Sequence, residues 1–173
     1  QAAIATLLGQ LKYLPFAQRQ QLAMHIRRQA GARPRPTAML STAQLRQLHA
    51  AGMGIGAHTV SHPILATLSE RAARLDIANG KRQLEDALQA PVALFAYPNG
   101  KMGVDYGAPH VDIVRSLGFT AAVATDWGVA RPGAAADLLQ LPRFTPWDRG
   151  RLAFLWRMRQ NRLRPPPARP DAG

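Results

Sequence analysis

Short apolar runs of strand length, alternating with stretches of helical periodicity, constrain this chain more than any other feature. Met53–Ala57, Val92–Tyr97 and Thr120–Thr125 read as strands, and a fourth is expected within Leu138–Phe144. The second run is closed by Pro98, Asn99 and Gly100, residues that end strands and build turns. Helix, strand, helix, strand in alternation implies α/β architecture with parallel strands buried on both faces. In such folds chemistry sits where strands end and loops begin. Two unusual clusters, His58–Pro63 and Tyr97–Gly100, lie at strand C-terminal ends.

The helical stretches carry their own punctuation. Ala2–Leu14 is apolar with helical spacing, and Pro15 suits the first turn of a second helix that places Phe16, Leu22, Ala23 and Ile26 on one face. Gly31 is the expected stop, and Gly31–Pro36 reads as a connector. Ser41 and Gln44 have capping-box spacing ahead of a helix with a buried Leu45 and Leu48 stripe, ended by Gly52. Thr67 and Glu70 offer a second capping box; behind it Ala73, Ile77, Leu84 and Leu88 share a side, interrupted by Gly80. Pro109–Leu117 is a further helix with Gly118 behind it. Arg151–Arg164 is amphipathic, with Leu152, Leu155, Trp156 and Leu163 set against arginines. Packing on the domain is its expected use, with a membrane surface or a partner as alternatives. The Pro-rich tail from Pro165 is expected to be disordered. The chain thus divides into a helical insertion and connector over 1–38, an α/β domain over 39–147, a basic helix over 148–164 and a tail over 165–173.

Composition removes several function classes. The chain has 173 residues, the size of one domain, and its 47% hydrophobic content exceeds that of a disordered chain. Zero cysteines exclude disulfides, a thiolate nucleophile and thiolate metal ligands, so a metal would need histidine and oxygen donors. No run approaches the roughly 20 apolar residues of a membrane span, and the first residues lack the basic stretch and compact apolar run of a signal peptide. Compartment is left open between cytoplasm and cell envelope. The net charge of +12 is concentrated at the two ends: Glu70 is the first acidic residue, and eight arginines follow from Arg143 onward. Such an excess attracts nucleic acid, acidic lipid or anionic polysaccharide, but a solvated basic face is the simpler reading. The few aromatics do not alternate with arginine in a stacking pattern, so no nucleic-acid partner is expected.

His58 and His62 stand four residues apart, a spacing at which two imidazoles converge on one ion if the loop turns through about one helical revolution. Two neutral imidazoles suit zinc, cobalt, nickel or iron. Surface or hydrogen-bonded core histidines are the alternative, and at least one further ligand is needed to fix a metal.

The string Gly56-Ala57-His58-Thr59-Val60-Ser61-His62-Pro63, followed by Phe95-Ala96-Tyr97-Pro98-Asn99-Gly100, resembles the polysaccharide deacetylase (NodB-homology) family from about Met39 to about Thr145. The resemblance implies a metal-dependent carbohydrate esterase or amidase on an incomplete, distorted (β/α) barrel, acting on a polysaccharide or N-acetylated oligosaccharide. It implies that His58 and His62 bind a divalent metal, zinc being the expected one, and that Tyr97, Pro98 and Asn99 line the substrate groove. Asn99 would give its backbone N–H to the oxyanion. Asp126-Trp127 faintly matches the family segment whose tryptophan borders the acetyl pocket; core packing is the plainer reading. Arg143 stands where many members carry a histidine general acid. A guanidinium stays charged and cannot protonate a leaving group, but it can bind an oxyanion or a sugar carboxylate, or simply be a surface arginine.

The family's first motif, a strand ending in two aspartates, is not matched here. That pair supplies the catalytic base and the third metal ligand, and both are therefore expected upstream of residue 1. The resemblance assigns Asp105, Asp112 and Asp126 no such role, and Ala96 replaces an arginine that orients the base. The chain accordingly reads as a barrel truncated at its N-terminal strands, an inactive fragment of a hydrolase that removes N-acetyl groups. A non-catalytic glycan-binding module is the alternative, with a basic anionic-polymer-binding domain third.

Overall fold

The apolar runs become strands, but short ones. The computed structural model describes residues 2–33, 39–130 and 137–164; the proposed tail and much of the Gly31–Pro36 connector lie outside them. The chain divides into two compact units, Gln1–Met53 and Gly54–Gly173, the first of which includes the Ser41-capped helix.

The first unit is helical: α1 spans Ala2–Lys12, α2 spans Phe16–Gln29 and α3 spans Thr42–Ala50. Pro15 immediately precedes α2 instead of sitting in its first turn. The Ser41/Gln44 capping box forms in full, the Ser41 hydroxyl accepting from the Gln44 N–H and the Gln44 side chain accepting from the Ser41 N–H. No described side chain of this unit is buried. That corrects the expected Leu45 and Leu48 stripe: Leu45 is half-buried and Leu48 is exposed.

The second unit holds the sheet. Strands β1 (Gly56–Ala57), β2 (Leu94–Ala96), β3 (Ala121–Ala124) and β4 (Leu141–Pro142) are all parallel and adjacent in sequence order. Register pairs Ala57 with Phe95, Phe95 with Ala122, and Val123 with Leu141. Sequential parallel order is the winding of a (β/α) barrel rather than of a doubly wound sheet, whose order reverses at a switch point. Here the sheet is open, in keeping with an incomplete barrel. The fourth run is divided, Leu138–Gln140 forming a 3-10 turn stabilised by the Asp137 side chain, which accepts from the Leu139 N–H.

Helix α4 (Glu70–Leu88) links β1 to β2, and α5 (Ala108–Ser116) links β2 to β3. The expected α4 face is the one used: Ala73 and Ile77 are buried, and Leu84 and Leu88 pack against the core. Its cap is Ser69, whose hydroxyl accepts from the Ala72 N–H, whereas the Thr67 hydroxyl donates to the Ile64 carbonyl. Lys81 joins α4 to the end of α5: its ammonium donates to the Leu117 carbonyl at 2.9 Å and lies 4.8 Å from the centre of the Phe119 ring. A cation there complements the negative end of the α5 dipole.

Both helices serve the same core, with Ala57, Phe95, Tyr97, Ala122 and Ala124 of the strands and their ends. The strands therefore alternate instead of being buried on both faces, as the apolar runs had implied. Leu94 is 43% exposed, and Gly56, Leu94, Ala96, Ala121, Val123 and Leu141 border an apolar groove of about 270 Å³.

The last helix, α6 (Arg151–Leu163), reverses its expected polarity. Leu152, Leu155, Trp156 and Leu163 are exposed, and the buried member is Asn161. The Asn161 amide accepts from the Gly128 N–H at 2.7 Å and donates to the Gly128 carbonyl at 2.9 Å. Arg157 pairs with Asp148, and Arg164 lies 3.9 Å from the centre of the Trp127 ring. The helix packs through polar and cationic groups on backbone and an aromatic face.

Candidate functional site

His58 leaves the C-terminal end of β1, Tyr97–Gly100 leaves β2, and Arg143 leaves β4. The sheet order thus brings residues distant in sequence to one edge.

The two histidines converge. Their ring centroids are 4.7 Å apart with the planes at 78°. His58 is half-buried, and its Nδ1 lies 2.7 Å from the Ala96 carbonyl oxygen. A carbonyl only accepts, so Nδ1 donates its proton and the neutral ring keeps its lone pair at Nε2. Burial pushes His58 below the ordinary histidine range, the hydrogen bond to Ala96 opposes this, and the charges of His62 and Arg143 add to the lowering. A neutral imidazole with its lone pair fixed is the form that coordinates a metal.

The loop between the rings is locally strained. Thr59 has φ 63° and His62 has φ 50°, a left-handed conformation that is uncommon outside glycine and most so for a β-branched residue. Strain of this kind is worth on the order of 1–3 kcal/mol and gathers at functional sites. The Thr59 hydroxyl accepts from the His62 N–H at 3.1 Å. Pro63, Ile64 and Leu65 behind it are buried and anchor the loop.

The second loop is built against β3. Asn99 has φ 60° and Gly100 φ 76°. The Gly100 carbonyl accepts from the Thr125 N–H at 2.8 Å, and the Thr125 hydroxyl donates to the Asn99 carbonyl. A Cβ at Gly100 would fall 2.9 Å from the Thr125 nitrogen, so only glycine fits. Tyr97 and Pro98 are fully buried. The Tyr97 ring stacks on Tyr106 at 3.9 Å between centroids, which makes it a support of the loop and removes its side chain from the groove. Asn99, half-buried, is the member of the trio that reaches the surface.

Other expected residues are placed elsewhere. The Trp127 ring meets Phe144 at 4.7 Å and the Arg164 guanidinium, so it takes part in seating α6. Asp126 lies against the Lys101–Asp105 segment, where burial raises it above the usual carboxylate range while a hydrogen bond from the Met102 backbone opposes the rise. Asp105 is buried and accepts from the Lys101 N–H; Asp112 is exposed and pairs with Arg115. Among the described residues no group of three histidine, aspartate or glutamate side chains is gathered as a metal cage. The histidine pair fits a divalent ion as two of its ligands, and the described residues add no third.

Asp76 on α4 escaped the sequence reading. Its carboxylate accepts from the Val60 and Ser61 N–H groups and from the Ser61 hydroxyl. Its sequence signal was an acid beside the buried Ile77, on the helix that follows the histidine loop.

Comparison with known proteins agrees with this fold. The polysaccharide deacetylase family model matches residues 11–122. The deacetylase PplD of Streptococcus pyogenes, solved with acetate, has a TM-score of 0.56 at 29% identity, over 63% of this chain and 46% of that one. IcaB of Ammonifex degensii gives a TM-score of 0.56 at 24% identity, over 75% of this chain and 57% of that one. A polysaccharide deacetylase of Bacillus cereus gives 0.54 at 22% identity, over 63% and 33%. The latter two speak for the fold alone. The chain spans about half or less of the length of the first and third of these structures. No curated protein matches.

Proposed function

Because the chain belongs to the polysaccharide deacetylase family, we propose that it forms the metal-binding and groove-lining part of a hydrolase that cleaves the N-acetyl amide of a polysaccharide. The observation that carries this reading is the convergence of His58 and His62 at the C-terminal edge of the sheet, with the His58 lone pair set by Ala96. The acetate bound to the streptococcal deacetylase supports it, since acetate is the acid that such a cleavage releases.

Within this reading His58 and His62 hold a divalent ion, zinc being the expected one. That ion would supply Lewis-acid polarisation of the acetamide carbonyl and activation of water. Asn99 presents its backbone N–H toward the oxygen on which charge develops; its own carbonyl is already engaged by Thr125. Arg143 adds a fixed positive charge that His58 senses, suited to an oxyanion or to a carboxylate of the glycan. Tyr97 and Pro98 hold the loop from beneath.

With two imidazoles and no third donor among the described residues, the isolated 173-residue chain is expected to bind zinc weakly and to release no acetate from N-acetylglucosamine oligomers. Chelator-sensitive acetate release by the purified chain would overturn this inactivity. The missing third donor also favours a second reading, a glycan-binding module that has kept the groove without the chemistry. Binding of the oligomer, unaffected by His58→Ala and by chelator, is the outcome that reading requires.

A further inference from the structure

Helix α4 grips the histidine loop at two positions one turn apart. From one oxygen, Asp76 accepts from the Val60 N–H at 3.3 Å and the Ser61 N–H at 3.5 Å; its other oxygen accepts from the Ser61 hydroxyl at 3.3 Å. Four residues later, on the same face of the helix, Gly80 meets the loop backbone directly. A Cβ built there would lie 2.9 Å from the Thr59 carbonyl carbon and 3.1 Å from its oxygen. The bend so held is the left-handed one at Thr59 and His62.

We infer that Asp76 and Gly80 are positioning residues that mould the 58–62 loop so that the two imidazoles face each other. A carboxylate is suited to the task because both of its oxygens only accept, and the loop offers it two N–H groups and an O–H. An asparagine can keep its oxygen on the two N–H groups while its NH2 meets the Ser61 hydroxyl, which then accepts; an alanine removes every acceptor. Glycine is suited at residue 80 because any side chain would occupy the space of the Thr59 peptide. In an exposed helix Gly80→Ala would favour the helix; here the same methyl group must displace the loop. The relevance of the clamp to metal binding rests on the function proposed above, whereas its effect on ring geometry does not.

The test uses the 173-residue chain in two measurements. By NMR, the wild type should show a nuclear Overhauser contact between the His58 and His62 rings, as their 4.7 Å separation requires. Asp76→Ala and Gly80→Ala should each abolish it while the core signals of Ala57, Phe95 and Val114 stay in place, and Asp76→Glu, which keeps both acceptors, should restore it at least in part. By calorimetric titration with zinc alone, Asp76→Ala and Gly80→Ala should weaken binding about tenfold or more, the usual size of an outer-shell effect. An inter-ring contact that persists unchanged in Asp76→Ala overturns the proposal, and this variant, at a half-buried position outside the core, decides should Gly80→Ala fail to fold. A wild type that shows the inter-ring contact, lost in Asp76→Ala, yet binds no zinc would sink the metal reading and leave the clamp standing.

Discussion

His110 is held neutral by two hydrogen bonds that a charged ring could not both make. Its Nδ1 accepts from the Gly107 N–H at 3.0 Å, so the proton resides on Nε2, which donates to the Leu65 carbonyl at 3.0 Å. Burial lowers its pKa from the ordinary 6.5, against the raising effect of the Leu65 carbonyl and the charge of Glu70. A depressed histidine contributes stability that is complete above its unfolded pKa and is lost as the pH falls through the folded one. Urea titrations should therefore show the chain less stable at pH 5 than at pH 7. His110→Ala should cost about 1–3 kcal/mol at pH 7, by leaving the Gly107 N–H without its acceptor and the Leu65 carbonyl with the Leu68 N–H alone, and should flatten the pH slope; an unchanged slope would assign it to other groups. His110 also shows what a sequence conceals. The His58/His62 pair is legible because its spacing and neighbours lie in one short string, whereas the partners of His110 and Asp76 come together only on folding. Tyr97 was legible as part of a loop motif, but its stacking on Tyr106 decides which way the ring points, and that contact is not local.

Strands and helices divide along similar lines. The three apolar runs and the α4 face were readable because period and punctuation are local, as was the Ser41 capping box. The direction of α6 was not. Its apolar stripe suggested the buried side, yet Asn161, 33 residues from Gly128, sets the docking by pairing with both backbone groups of that glycine. Thr67 and Ser69 competed for the start of α4, and the tight turn at Leu65–Thr67 gave the Thr67 hydroxyl a different partner. The α6 contact makes its own prediction. Asn161→Ala should leave the Gly128 N–H and carbonyl unsatisfied and cost about 1–3 kcal/mol of docking. Hydrogen exchange should accelerate across Arg151–Leu163 while β2 and α5 keep their protection, and uniform acceleration everywhere would contradict this local view.

At the scale of the molecule, the second unit is a sheet covered by α4 and α5 on one face and bordered by an apolar groove on the other. The tyrosine stack lies on the covered side and links the proposed site to global stability. Burial, with the neighbouring Tyr106 and Asp137 adding to it, holds the Tyr97 phenol far above its usual value of 10.0. A group whose pKa is raised on folding contributes stability that is complete below its unfolded pKa and is lost as pH rises beyond it. Melting temperature should thus decline above about pH 10, and Tyr97→Phe, which removes the ionisable oxygen, should blunt the decline; an equal decline in both proteins would rule Tyr97 out as its source. One of the three tyrosines is thereby an intrinsic alarm: phenolate absorbance from Tyr97 signals that the interior has been breached, with no dye or label attached.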